Sequence, residues 1–190
     1  MSNRKGKLIV ISAPSGTGKG TVINKLLKLE PDFAFSVSAT TREPRPGETN
    51  GEEYFFIPKE RFLEMIDNNE FLEYANYVGE YYGTPVKPIM DNIDSGKTVI
   101  LDIEVQGAEQ VMTKDIEATT FFLVPPDMAE LEKRLRGRGT DSDEKVVSRL
   151  DRAKQELEEK HRYDHIIIND NSIRAAKEIL YFISKKERNE

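Results

Sequence analysis

The sequence predicts an α/β fold of three layers, a parallel sheet covered by helices on both faces. Short apolar runs of strand length recur along the chain, stretches with helical spacing separate them, and the first run leads straight into a glycine-rich turn. The rhythm breaks once and is later followed by a densely charged stretch. An inserted subdomain and a mobile lid are therefore expected on top of the core.

Leu8 to Ser12 reads as a buried strand, and the helix expected over Thr21 to Leu29 follows from the spacing of Val22, Leu26 and Leu29. The insert runs from Phe35 to Tyr82, where Pro44, Pro46, Gly47 and Gly51 cluster and five of the seven tyrosines fall. A helical stretch then ends at Gly96, a C-terminal glycine cap, and Thr98 to Ile103 is the next strand. Thr119 to Val124 and His165 to Ile168 are rich in β-branched and aromatic residues and read as fully buried strands. Three amphipathic helices are expected on Met128, Leu131 and Leu135, on Val146, Leu150, Ala153 and Leu157, and on Ile173, Ala176, Leu180 and Ile183. Asp141 with Glu144 suits a capping box for the middle one. Arg134 to Arg152 is the charged stretch, and Gly137 and Gly139 on either side of Arg138 favour a moving loop.

A chain of 190 residues, 37% hydrophobic and 33% charged, is long enough to bury a core and too apolar to stay disordered. Its net charge of −6 argues against nucleic acid as a partner, because counterion release needs a basic face. Any anion site must be local. With no cysteine there is neither disulfide nor thiolate metal site, which fits a cytoplasmic location. Leu8 to Ile11 is too short for a signal or membrane-spanning segment, so no membrane association is expected.

Ala13-Pro14-Ser15-Gly16-Thr17-Gly18-Lys19-Gly20-Thr21 lies where a strand meets a helix, the context that the phosphate-binding pattern G-x-x-x-x-G-K-[ST] requires. Its glycines let backbone N–H groups turn toward phosphate oxygens, the helix start adds roughly half a positive charge, and Lys19 is placed to reach the β and γ phosphates. Two positions depart from the pattern. Ala13 stands for the first glycine, and Gly20 follows the lysine where Ser or Thr is expected. The Mg²⁺ contact is consequently open between the Thr21 hydroxyl, the strand-end Asp102, and phosphate with water alone.

Ser38-Ala39-Thr40-Thr41-Arg42-Glu43-Pro44-Arg45-Pro46-Gly47-Glu48, taken with Gly51 to Phe56, Glu70 to Ala75, Tyr81-Tyr82-Gly83-Thr84, Leu101 to Gly107, Arg134 to Thr140 and Ile168-Asn169-Asp170, resembles the guanylate kinases over nearly the whole chain. The resemblance implies a P-loop core formed by residues 1–33, 96–133 and 154–190, a GMP-binding subdomain with its connecting helix at 34–95, and a lid at 134–153. It implies ATP as co-substrate with Mg²⁺, and GMP as acceptor, with dGMP and the oligomeric state left open.

Residue by residue, the resemblance gives Arg42, Arg45, Glu48, Tyr54 and Tyr82 to the GMP phosphate side. Glu73, Ser38 and Thr84 go to the base, and Asp102 and Glu104 line the same site. The chemistry agrees: guanidinium forks pair bidentately with phosphate, and guanine N1–H and N2–H₂ are adjacent donors that suit one carboxylate. Ala13 to Thr21 and Asn169 are implied to hold ATP, and Lys19, Arg42, Arg134, Arg138 and Arg149 to stabilise the transferring group. Arg136 and Arg152 read as solvated helix charges. The GMP phosphate is already largely dianionic near neutrality, so no general base is expected, and His161 and His165 read as structural. A guanylate-kinase-like module that binds phosphopeptides without catalysis is the alternative, disfavoured by the intact Gly18-Lys19.

Overall fold

A computed structural model describes residues 6–137 and 142–189, with side chains described through Lys185. Its larger sheet is built from β1 (Leu8–Ser12), β2 (Ala34–Phe35), β7 (Val99–Asp102), β8 (Ala118–Val124) and β9 (His165–Ile168). The order is β2-β7-β1-β8-β9 and every pairing is parallel. β1 occupies the centre, with all five residues buried.

Alternation along these strands sorts the core into two halves. Ile9, Ile11, Ile100, Phe121, Leu123 and Ile167 face α1 (Lys19–Leu29) and α7 (Ser172–Asn189), meeting Val22, Ile23, Leu26, Ala175, Ala176, Ile179 and Ile183. Leu8, Val10, Val99, Leu101 and Phe122 face α3 (Val86–Asp94) and α4 (Val105–Met112) on the other side. Each such aliphatic side chain removed from water contributes about 1.5–3 kcal/mol, so the three layers are held chiefly by the sheet's two apolar faces.

A second sheet, ordered β4-β3-β6-β5, is formed by β3 (Ala39–Thr40), β4 (Phe55–Phe56), β5 (Phe71–Tyr77) and β6 (Glu80–Pro85). It has its own small core of Ala39, Phe62 and Phe71, with Phe62 supplied by α2 (Lys59–Asp67). Phe35, where the insert was expected to begin, pairs instead with Ile100 of the large sheet. β5 and β6 turn through Val78 and Gly79, whose φ values of 54° and 89° match the two positive-φ positions of a tight hairpin. A third cluster joins α5 (Met128–Arg136) to α6 (Asp143–Glu158) through Leu131, Leu135, Val146 and Ala153. A 3-10 turn, Glu159–Arg162, leads from α6 to β9.

Four expectations are corrected. β9 is not fully buried: it is an edge strand, and Ile166 and Ile168 are 44% and 49% exposed because only the α1/α7 side is covered there. Leu29 and Ile173, on the expected apolar faces, lie at helix ends and are 41% and 46% exposed. Helix α1 begins at Lys19, not Thr21. The cap of α6 is Ser142, whose hydroxyl accepts from Lys145 N–H, while Asp141 lies outside the described residues together with Arg138, Gly139 and Thr140. Gly96 does follow the end of α3, at φ 86°, with its N–H donating to Ile93 O.

Candidate active site

β1 delivers the chain to the turn 13–18, and α1 leaves it. Gly16 and Gly18 both adopt positive φ, 91° and 94°, a backbone that L side chains rarely take. There is a second reason for each glycine. A Cβ on Gly16 would stand 2.6 Å from Leu135 Cδ2, and one on Gly18 would stand 2.8 Å from Asn169 Nδ2. Ala13, by contrast, is 1% exposed and packs within the core on the α1/α7 side. Its methyl group is a core contact, which accounts for the first departure from the strict pattern. At the second departure, Gly20, a Cβ would meet nothing within 4 Å, and Thr21 beside it is exposed at the helix start.

Lys19 Nζ lies 2.8 Å from Asp102 Oδ1 and donates to Ile103 O at 2.7 Å, with Glu104 Oε1 at 3.7 Å. This follows from the sheet: β7 pairs beside β1 with Asp102 opposite Ile11, so the strand-end carboxylate arrives under the lysine. Asp102 and Glu104 both bring a carboxylate within 4 Å of Lys19 Nζ. Among the described residues no three acidic or histidine side chains converge as a metal cage.

The arginines expected in the lid are drawn onto the loop itself. Arg134 donates to Thr17 O and Asn169 O, both at 3.0 Å, and to Glu130 Oε1 at 2.9 Å. Asn169 is buried and its Nδ2 donates to the same Thr17 carbonyl at 2.7 Å. Arg149 Nη2 donates to Ser15 Oγ at 2.6 Å. Pro14 O accepts from Thr17 N–H, closing the turn. Arg138 lies outside the described residues.

Just after β3, Arg42 is bound bidentately by Glu48, with Nη1 to Oε2 and Nη2 to Oε1 both at 2.9 Å, and donates to Glu43 O. Its guanidinium carbon lies 5.5 Å from the Tyr54 ring centroid and 5.6 Å from that of Phe56. Tyr54 and Tyr82 meet edge to face at 6.0 Å. Glu48 also accepts Arg45 N–H, while the Arg45 side chain is exposed. The Arg42 hydrogen bonds hold the Glu48 carboxyl below its ordinary value, and burial pushes the Tyr54 phenol up.

Glu73 is 8% exposed, an unusual burial for a carboxylate. Antiparallel pairing sets it opposite Thr84, whose hydroxyl donates to Oε1. Ser38 comes one residue before Ala39, which pairs with Gly83, so β3, β6 and β5 bring Ser38, Thr84 and Glu73 to neighbouring positions. Burial raises the Glu73 pKa, opposed by the Thr84 hydrogen bond and by the Lys19 charge. The Asp102 charge likewise acts on Tyr54. Glu73 and Tyr54 thus lie within electrostatic reach of the Lys19–Asp102 pair.

Other sequence readings fare differently. His165 stacks on Phe182 with centroids 4.1 Å apart, and His161 Nδ1 is 2.7 Å from Glu158 O, so both have structural surroundings. Arg136 is a surface charge paired with Glu132 and Asp143. Arg152 is, as expected, an exposed helix charge, paired with Glu156 one turn on. Its hydrogen bond to Glu156 raises its pKa first, and Glu104 and Tyr77 add to this. Gly107, which the sequence marks only as the end of a motif, and Gln110, which no motif includes, approach Glu73 and Tyr74; a glycine inside a helical pattern is the signal for the former.

A buried strand, a turn with two positive-φ glycines and a lysine at the helix start make this a P-loop fold, the class that receives nucleoside polyphosphates. A family model described as guanylate kinase matches residues 5–186. The chain is 51% identical over 166 residues to a guanylate kinase of Trichodesmium erythraeum, covering 87% of this chain and 89% of that protein. It is 48% identical over 183 residues to one from Prochlorococcus marinus, with 96% and 99% covered. The crystal structure of guanylate kinase from Anaplasma phagocytophilum superposes with a TM-score of 0.72 at 34% identity, covering 96% of this chain and 86% of that one. The chain belongs to the guanylate kinase family. Among the described residues no helix is long and apolar enough to cross a membrane.

Proposed function

We propose that this protein reversibly transfers the γ-phosphoryl group of Mg-ATP to GMP, giving ADP and GDP. The observation that supports this is that the Lys19–Asp102 pair beside the glycine turn lies within electrostatic reach of Glu73 and of Tyr54, and Tyr54 packs with Arg42 and Tyr82. On this reading Lys19 and the turn take one anion, and Arg42, Arg45, Tyr54 and Tyr82 take the other.

ATP phosphates take the turn from Ala13 to Thr21, and Lys19 exchanges its contact with Asp102 for phosphate oxygens. Arg134 and Asn169 hold the Thr17 carbonyl, which keeps the loop amides oriented inward. Arg149 and Arg138 neutralise charge on the transferring group from the lid, residues 134–153, which closes over the core formed by 1–33, 96–133 and 154–190. The donors present, an exposed hydroxyl on Thr21 and the Asp102 carboxylate, would suit a Mg²⁺ ion carried in mainly by the triphosphate, and such an ion would supply positive charge to offset that of the phosphates.

GMP binds the 34–95 subdomain. Arg42 and Arg45 with Tyr54 and Tyr82 take its phosphate, and Glu48 fixes the Arg42 fork. Glu73 accepts guanine N1–H and N2–H₂, with Thr84 and Ser38 beside it, and Glu104 with Asp102 lines the side facing ATP. The dianionic phosphate attacks without a base, so the protein's work is alignment and charge stabilisation. The location that suits this reaction is the cytoplasm.

The test is a coupled assay of ADP formation with Mg-ATP and GMP, dGMP, AMP or UMP. Turnover with GMP far above AMP and UMP is expected. Absence of ADP with every acceptor overturns the proposal.

A further inference from the structure

Helix α4 runs along the free edge of β5, the last strand of the smaller sheet. An edge strand leaves outward backbone groups without a strand partner. At Tyr74 one side chain supplies both missing bonds: Tyr74 N–H donates to Gln110 Oε1 at 3.1 Å, and Gln110 Nε2 donates to Tyr74 O at 2.9 Å. One turn further on, Lys114 Nζ donates to Phe71 O at 3.2 Å. Leu72 and Glu73 lie between these two anchors, with Glu73 next to the Gln110 contact.

One turn before Gln110, α4 carries a buried glycine. If Gly107 had a Cβ, the three nearest atoms would all belong to Glu73: Oε2 at 2.8 Å, Cδ at 3.2 Å and Cγ at 3.3 Å. Gly107 does not share the positive φ of Gly16 or Gly18, and its helical backbone suits any residue. Glycine is needed there because the carboxylate occupies the space that a methyl group would take.

We propose that Gly107 and Gln110 are positioning residues for base selection: Gly107 vacates the seat of the Glu73 carboxylate, and Gln110 fixes the strand backbone that aims it. The inference rests on Glu73 being the guanine contact. The helix also begins just after the Asp102–Glu104 segment around Lys19, so one rigid element joins the phosphate loop to the base site.

The experiment measures KM and kcat for GMP and AMP, KM for ATP, and thermal midpoints for Gly107→Ala, Gln110→Ala and Gln110→Glu. Alanine suits a helix better than glycine, so a purely structural role for Gly107 gives an equal or higher midpoint and unchanged kinetics. The positioning role gives a KM for GMP raised about ten-fold, the worth of one well-made hydrogen bond, with KM for ATP within about two-fold and the GMP-over-AMP ratio reduced in step. Gln110→Glu keeps an acceptor but loses the donor, and falls between the wild type and Gln110→Ala. In a Glu73→Gln background neither Gly107→Ala nor Gln110→Ala changes the ratio further. If Glu73→Gln collapses the ratio while Gly107→Ala and Gln110→Ala preserve it, the positioning role is overturned. If Glu73→Gln itself preserves the ratio, the guanine assignment of Glu73 is what fails.

Discussion

The Lys19 ammonium stands 2.8 Å from Asp102 Oδ1, at the end of the strand that pairs beside β1. The lysine cation that follows the phosphate turn is thus held by a partner that it must give up when a triphosphate arrives. Lys19→Ala is expected to lower kcat by about 10²–10³, as loss of one preorganised donor does, with KM for GMP within about three-fold. Asp102 is left partly exposed to water, so folding survives. Steady-state kinetics at saturating ATP read this, and unchanged kcat removes Lys19 from the reaction.

Glu48 competes for the same guanidinium that is proposed to take the GMP phosphate, yet it also accepts Arg45 N–H and so orders the 42–48 loop. Its negative charge is already answered by Arg42, so ordering outweighs repulsion of phosphate. Glu48→Ala is expected to raise KM for GMP about ten-fold and Glu48→Gln less. A lowered KM would show that Glu48 sequesters Arg42 instead of presenting it. Its carboxyl titrates below 4.5, so this loop contact stabilises the fold above the ordinary carboxylate range and is lost as pH falls through the lower folded value.

Glu73 titrates in the opposite sense. Burial raises its pKa above 4.5 despite Thr84 and Lys19, so the fold favours the protonated form, and its stabilising contribution fades as pH rises through the folded value. Guanine recognition needs the ionised form. The ratio of kcat/KM for GMP to that for AMP should therefore climb with pH through that value, while phosphate titration, common to both substrates, cancels. Glu73→Gln should flatten the profile, cut the ratio at least about a hundred-fold, and raise the thermal midpoint near neutrality by removing a buried charge. A pH-independent ratio in the wild type contradicts this.

The phosphate turn and the central strands were legible because their signals are local: an apolar run, two glycines and a lysine within a dozen residues. What lay outside that range was burial by neighbours. β9 has the composition of a core strand, but its place at the sheet edge depends on β8, so its apolar side chains at 166 and 168 could not be placed from sequence. The Gln110 contact spans 36 residues, and an isolated glutamine carries no pattern that names its partner. Arg134 shows the same limit. The sequence marked a cation near the lid, whereas its acceptors include, besides Glu130 one turn away, two loop carbonyls 117 and 35 residues away.

The hairpin between β5 and β6 offers a stability test away from the chemistry. Val78 sits at φ 54° and is 86% exposed, so a β-branched residue occupies a left-handed turn position without compensating burial. L-residues lose roughly 1–2 kcal/mol there, and asparagine, the usual first residue of such a turn before glycine, recovers most of it. Gly79 already occupies the following position at φ 89°. Val78→Asn is therefore expected to raise the folding free energy by about 1 kcal/mol and the thermal midpoint by about 2–4 °C. Loss of the Val78 side chain costs little, since it is already in water. Calorimetry or circular dichroism melting decides the point. A midpoint equal to or below that of the wild type would mean that the turn relaxes around valine at no cost, or that its branched side chain makes a cross-strand contact worth more than the strain.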